Sequence, residues 1–271
     1  MEKLRLPSAT SIVIPGSNVN GVAESKSACQ ALVHALTSQL ARSSRTTLRI
    51  AADPIGDLVV QVHAPGKPIP VYSPQSVDTQ AVDGVVIGID ATTLDNMLYP
   101  LSTRISGNIT TVVLKALKGP WSEEMTLAFQ TFDAVTELHV WGRARDVLTA
   151  LAPRGSDGDL KVPFPRLKSL AISAGDQPDL CDGERWYGVR VDETAACHHD
   201  AAGAGWLAGL VPIIEARAAG GAPVHRLVMM GPVDCKGRVN TTRNETCALV
   251  GADVLEALQS SVHKFLDERT Q

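Results

Sequence analysis

The run Cys197-His198-His199-Asp200 sets a thiol, two imidazoles and a carboxylate in consecutive positions, and Cys181 stands sixteen residues before it. Thiolate and neutral imidazole are good zinc ligands, so Cys181, Cys197, His198 and His199 are the chain's weak candidates for a metal site. Structural zinc sites usually draw paired ligands from both ends of the site, whereas Cys181 is alone at its end. A solvated polar loop is the simpler account, and no bound metal is expected. A second cluster, Gly203-Ala204-Gly205-Trp206-Leu207-Ala208-Gly209, approximates a dinucleotide-binding turn. That chemistry needs a strand that delivers the glycines to a helix N-terminus, and the preceding Asp192 to Ala202 has no strand character. Asp53 and Asp90 follow apolar runs, at the strand ends where carboxylates of α/β enzymes gather, although turn residues and helix caps explain them at least as well. The chain has no Gly-x-Ser-x-Gly elbow, phosphate-binding loop, His-Glu-x-x-His or paired Cys-x-x-Cys. No cofactor is expected.

The elements that would carry such residues alternate in type. Strand-like apolar runs lie at Ser11 to Ile14, Leu48 to Ala51, Leu58 to His63, Gly84 to Ile89, Ile109 to Leu114, Val135 to Trp141, Leu167 to Ile172 and Val224 to Met230. Helical spacing of apolar residues fills most of the gaps: Ser25 to Ala41, Thr93 to Leu101, Ser122 to Gln130, Arg145 to Leu151, Trp206 to Ala218 and Gly251 to Asp267. Pro212 marks the first turn of its helix or a kink within it. Strands separated by helices predict an α/β fold with a parallel sheet, because parallel neighbours need crossover connections. Two segments break the pattern. Asp53 to Asp83 is rich in proline and surrounds a possible hairpin, and Gly175 to Gly205 is polar and without period.

One signature recurs along the chain: apolar, two residues, apolar, one residue, apolar. It begins at Val82, Ile109, Val135, Leu167 and Val224, giving spacings of 27, 26, 32 and 57 residues. The first two fall within the period of a leucine-rich repeat, the third carries the insertion Arg154 to Asp159, and the fourth is about two periods. The expected fold is therefore an irregular leucine-rich-repeat-like stack of parallel strands with helices on the convex side. The turn position that regular repeats fill with Asn or Cys holds Leu117, Arg143, Gly175 and Pro232. A doubly wound single sheet also accommodates this spacing.

The stretches "AFQTFDAVTELHVWGRARDVLTALAP", "VPFPRLKSLAIS", "WLAGLVPIIEARAAGGAPVHRLVMMG" and "VGADVLEALQSSV" resemble the divergent leucine-rich-repeat regions of F-box-like proteins from mushroom-forming fungi. In that family a helix ending "aLaP" leads to "FPxLxxLxI", and a helix with "ARxxxGAPxxxL" precedes a strand and a final helix. The resemblance runs from Trp121 to the C-terminus and reaches earlier residues through periodicity alone. It implies a recognition module that delivers a target to a Skp and cullin ubiquitin ligase. Family members begin with an F-box segment; this chain begins with repeat-like sequence at Leu4, so docking to a Skp-type adaptor is not expected of it unaided.

If the stack reading holds, alternation along each strand puts the residues between the apolar positions on the opposite face. Glu137, His139, Trp141, Arg143, Lys168, His225 and Arg226 are the predicted protein-binding residues, since Trp beside His and Arg is a composition favoured at binding hot spots. Composition bounds the rest. Apolar residues form 44% and charged residues 20% of the 271, aromatics only 4%, so the core must be aliphatic. A net charge of −4 makes nucleic acid and anionic membrane poor partners, and no run reaches the length of a membrane span. With no signal-peptide-like start and five scattered cysteines, a cytoplasmic or nuclear protein with reduced thiols is expected. The reading is one repeat-type domain over 1–271: an irregular part at 1–81, the clearest repeats at 82–173, a loop insertion at 174–205, and a last repeat with capping helix at 206–271. A non-enzymatic protein-binding module is the leading function. The alternative is a small α/β enzyme with its site at Asp53, Asp90 or the Cys197 to Asp200 cluster.

Overall fold

The computed structural model describes residues 12–14, 47–52, 58–63, 84–89, 91–115, 123–141, 150–155, 160–173, 209–232 and 252–270. They form an α/β fold around one nine-stranded sheet. The strands are β1 (Ile12–Ile14), β2 (Thr47–Ala52), β3 (Leu58–His63), β4 (Gly84–Ile89), β5 (Thr111–Lys115), β6 (Glu137–Trp141), β7 (Ser169–Ser173), β8 (Arg226–Pro232) and β9 (Lys264–Thr270). Four described helices accompany them: α1 (Ala91–Ile105), α2 (Glu123–Thr131), α3 (Leu210–Ala219) and α4 (Ala252–Ser261).

The spatial order is β1-β4-β3-β2-β5-β6-β7-β8-β9. Only β3 opposes the rest, pairing antiparallel with β2 and β4, while every other neighbour pair is parallel. From β6 onward each strand lies beside its predecessor in sequence. Crossovers of one hand between strands laid down in order must all pass on one side of a sheet. The packing agrees: Leu98, Leu101 and Ile105 of α1, Phe129 of α2, Leu210 and Ile214 of α3 and Leu258 of α4 share one core cluster with Leu48, Val112, Leu138, Leu170 and Leu227 of the sheet. The last five are in register across the sheet, and the row continues to Phe265 of β9. Leu114, Val140, Ile172 and Met229 form a second buried row two residues further along.

Consecutive units begin their strands in the same way. The carbonyl of Thr110 accepts the N–H groups of both Thr136 (2.9 Å) and Glu137 (3.1 Å). Thr136 does the same for Lys168 and Ser169, and Lys168 for His225 and Arg226, at 2.9 Å throughout. The carbonyl of His225 then receives the N–H of Lys264 at 2.8 Å. Just before each of these carbonyls sits a buried apolar residue: Ile109, Val135, Leu167 and Val224. The recurring signature thus marks a recurring backbone geometry between Ile109 and β9.

Two expectations change. The C-terminal helix, predicted over Gly251 to Asp267, ends at Ser261, and the chain continues as the strand Lys264–Thr270. Ser260 and Ser261 donate their hydroxyls to the carbonyls of Glu256 and Ala257, the back-bonding that weakens a helix interior, and β-branched Val262 follows. The unit whose signature begins at Val82 is also not the sheet neighbour of the next. Its strand β4 is separated from β5 by β3 and β2, and it is Leu48 of β2 that pairs with Val112. The predicted helix Thr93 to Leu101 extends to Ile105 through Pro100, and Pro212 lies in the first turn of α3. The segment 174–205 and the helix Ser25 to Ala41 fall outside the described residues.

Candidate binding face

With the helices on one face, alternation turns the intervening strand residues to the other. Two registered rows of described side chains cross it. The first runs Thr111, Glu137, Ser169, Arg226, Lys264, and its Glu137, Arg226 and Lys264 are exposed. The second runs Val113, His139, Ala171, Val228, Leu266. Here Val113 (2%), Ala171 (5%) and Val228 (4%) have little access to solvent, while His139 and Leu266 are partly exposed. At the end of β6, Trp141 is in register with Lys115 and Ser173.

His139 joins the two rows. Its Nε2 lies 4.0 Å from Oε2 of Glu137, too far for a hydrogen bond. Burial lowers its pKa below the usual 6.5, Glu137 raises it, and the Arg226 guanidinium lowers it further. The imidazole is therefore neutral at pH 7, and Glu137 faces it without an ion pair. Lys168 and His225, immediately before β7 and β8, are exposed at the amino-terminal edge of the sheet. Of the predicted binding residues, Glu137, His139 and Arg226 share one face, and Lys168 and His225 flank it. The Trp141 side chain and Arg143 lie outside the described residues, as do Asp53, Asp90, Cys181, Cys197, His198, His199 and Asp200. Among the described residues no group of three or more His, Cys, Asp or Glu could hold a metal, and no helix is long and apolar enough to cross a membrane.

The sequence reading passed over Arg217. This residue of α3 is fully buried, and its guanidinium donates to the carbonyls of Leu151 (3.3 Å), Pro163 (2.6 Å) and Phe164 (2.8 Å). Burial lowers its pKa from the usual guanidinium range to about 10, which leaves it charged at neutral pH. Its Nε has no partner. A signal was available, because Leu210, Ile214 and Arg217 occupy the single buried stripe of α3 at three- and four-residue spacing. Arg217 thereby binds three of the quoted stretches into one substructure: the helix of "EARAAGGAP", the end of "ALAP" and the start of "FPRL".

Phe164 completes that junction. Its backbone has φ 47°, a left-handed conformation that bulky residues rarely adopt. Its buried ring packs on Phe129 at 4.7 Å and Phe132 at 6.1 Å between centroids, and its N–H donates to the Phe129 carbonyl. No family, curated protein or solved structure matches this chain. What the coordinates define is the class: an α/β protein with a largely parallel sheet, helices on one face and a polar row on the other.

Proposed function

We propose that this chain is a non-enzymatic, leucine-rich-repeat-like module that binds a protein through the sheet face carrying Glu137, His139, Trp141 and Arg226. One observation carries the reading: from β5 to β9 the strands follow one another in chain order and register, with the described helices gathered on the opposite face. Ligand crevices of doubly wound enzymes form where strand order reverses; the reversals of this sheet lie before β5, and the run from β5 to β9 that carries the proposed face has none. The resemblance to fungal F-box-like proteins adds a role to the binding, namely target recognition in a ubiquitin-ligase adaptor family.

The test is affinity capture with quantitative mass spectrometry on the wild type and two variants. A His139→Ala/Trp141→Ala double variant should lose partners that the wild type retains. A Tyr99→Ala variant, altered at an exposed position on α1, should keep them. Retained partners are then purified and measured by calorimetry against the same variants. Equal capture by all three proteins would rule out this face as the binding surface.

A further inference from the structure

The sheet carries an unbalanced charge at one corner. Lys168 precedes β7, His225 and Arg226 stand at the start of β8, and His263 and Lys264 at the start of β9, all five exposed. Arg226 and Lys264 are paired in register, and the hydrogen bonds from His225 and Arg226 to Lys168 and from Lys264 to His225 fix the backbones side by side. None of the five forms an ion pair with another described residue. No carboxylate occurs within β7 or β8, and those of β9, Asp267 and Glu268, lie about 10 Å or more along the strand at ~3.3 Å per residue. Glu137, on the near side of His139, bounds the patch on β6. A chain of net charge −4 thus gathers the cations Lys168, Arg226 and Lys264, with the imidazoles of His225 and His263 beside them, at the amino-terminal edge of three adjacent strands.

We propose that this edge docks an acidic segment of the protein partner. The inference rests on the binding-face reading and adds the chemistry of what is bound. Three strands span about 10 Å, and an extended peptide repeats carboxylates on one side about every 7 Å, so the patch accepts two of them. A nucleic acid is a poorer fit. Its affinity comes from roughly 6 to 10 phosphate contacts, more than the patch supplies, and the net negative charge of the chain opposes its approach.

The experiment is fluorescence anisotropy with the full chain and a labelled peptide of alternating Glu and Ser. Two probes of equal charge run beside it: a single-stranded oligonucleotide, and vesicles containing anionic lipid. The proposal expects saturable peptide binding that weakens about tenfold or more in Arg226→Glu/Lys264→Glu and is abolished at ~1 M salt, where the screening length falls to ~3 Å. An independent Lys168→Glu/His225→Asp variant should weaken it as well, and thermal melts establish that each variant is folded. Absence of peptide binding, binding indifferent to both variants, or tighter binding of oligonucleotide or vesicle would each overturn the proposal. Partners lost on His139→Ala/Trp141→Ala but retained by Arg226→Glu/Lys264→Glu would overturn it while leaving the binding face standing.

Discussion

Arg217 places a full positive charge in the interior, and three carbonyl oxygens compensate it instead of a carboxylate. Removing it takes this donor from the carbonyls of Leu151 and Pro163, at roughly 1 to 3 kcal/mol for each acceptor buried without a partner, while the Phe164 carbonyl keeps the N–H of Leu167. Arg217→Met, which keeps most of the volume, is therefore expected to destabilise the protein by about 2 kcal/mol or more, read as a lower denaturant midpoint. Arg217→Lys should not restore stability, since an ammonium lacks the planar fork that spans several acceptors. His139 makes a second prediction at this scale. Its folded-state pKa is depressed, so below the usual 6.5 the unfolded chain takes up the proton first, and the folded state loses stability as pH falls from there towards the depressed value. Denaturation midpoints measured across that window should fall for the wild type and fall less for His139→Gln. Equal slopes would show that His139 titrates normally in the folded protein.

At the scale of elements, the end of α3 shows how a short motif becomes a defined turn. The N–H of Gly221 donates to the carbonyl of Ala218 and that of Ala222 to Arg217, with Gly221 at φ 77°. This is the paired bonding of a Schellman cap, and Pro223 follows where no helix can continue. A Cβ at Gly221 would meet nothing within 4 Å, so Gly221→Ala isolates the backbone cost, expected at about 1 to 2 kcal/mol by thermal or chemical denaturation. The eight strand-like runs were legible as short apolar stretches, five of them carrying the recurring signature. The ninth was not: Asp267 stands where the signature demands an apolar residue, and Val262 and Phe265, three apart, suit a helix face equally well. The charges of "KFLDERT" have a further use in a strand at the margin of the sheet, since charged side chains discourage pairing with another chain.

Across the whole molecule, the row Leu48, Val112, Leu138, Leu170, Leu227, Phe265 runs from β2 to β9 beneath the helices. Leu138 is fully buried within it, so Leu138→Ala is expected to cost about 2 to 5 kcal/mol in unfolding free energy. A cost below 1 kcal/mol would contradict that burial. The polar row was readable by the same alternation that placed the core: Glu137, His139 and Arg226 follow from Leu138, Val140 and Leu227. Two features were not readable. The low exposure of Val113, Ala171 and Val228 on the face away from the helices is one, and the displacement of β4 from β5, which depends on the β2–β3–β4 meander that no local signature encodes, is the other.

The carbonyls of Thr110, Thr136 and Lys168, each holding two N–H groups of the following unit, are backbone atoms. The alignment of one unit on the next is thus indifferent to which side chains occupy those positions. Threonine, lysine and histidine already serve interchangeably along the series. Substitution can rewrite the outward polar row while the inward aliphatic row and this hand-over of hydrogen bonds stay constant. The architecture thereby separates what the surface says from what keeps it standing, so chains that share the scaffold need share few identities.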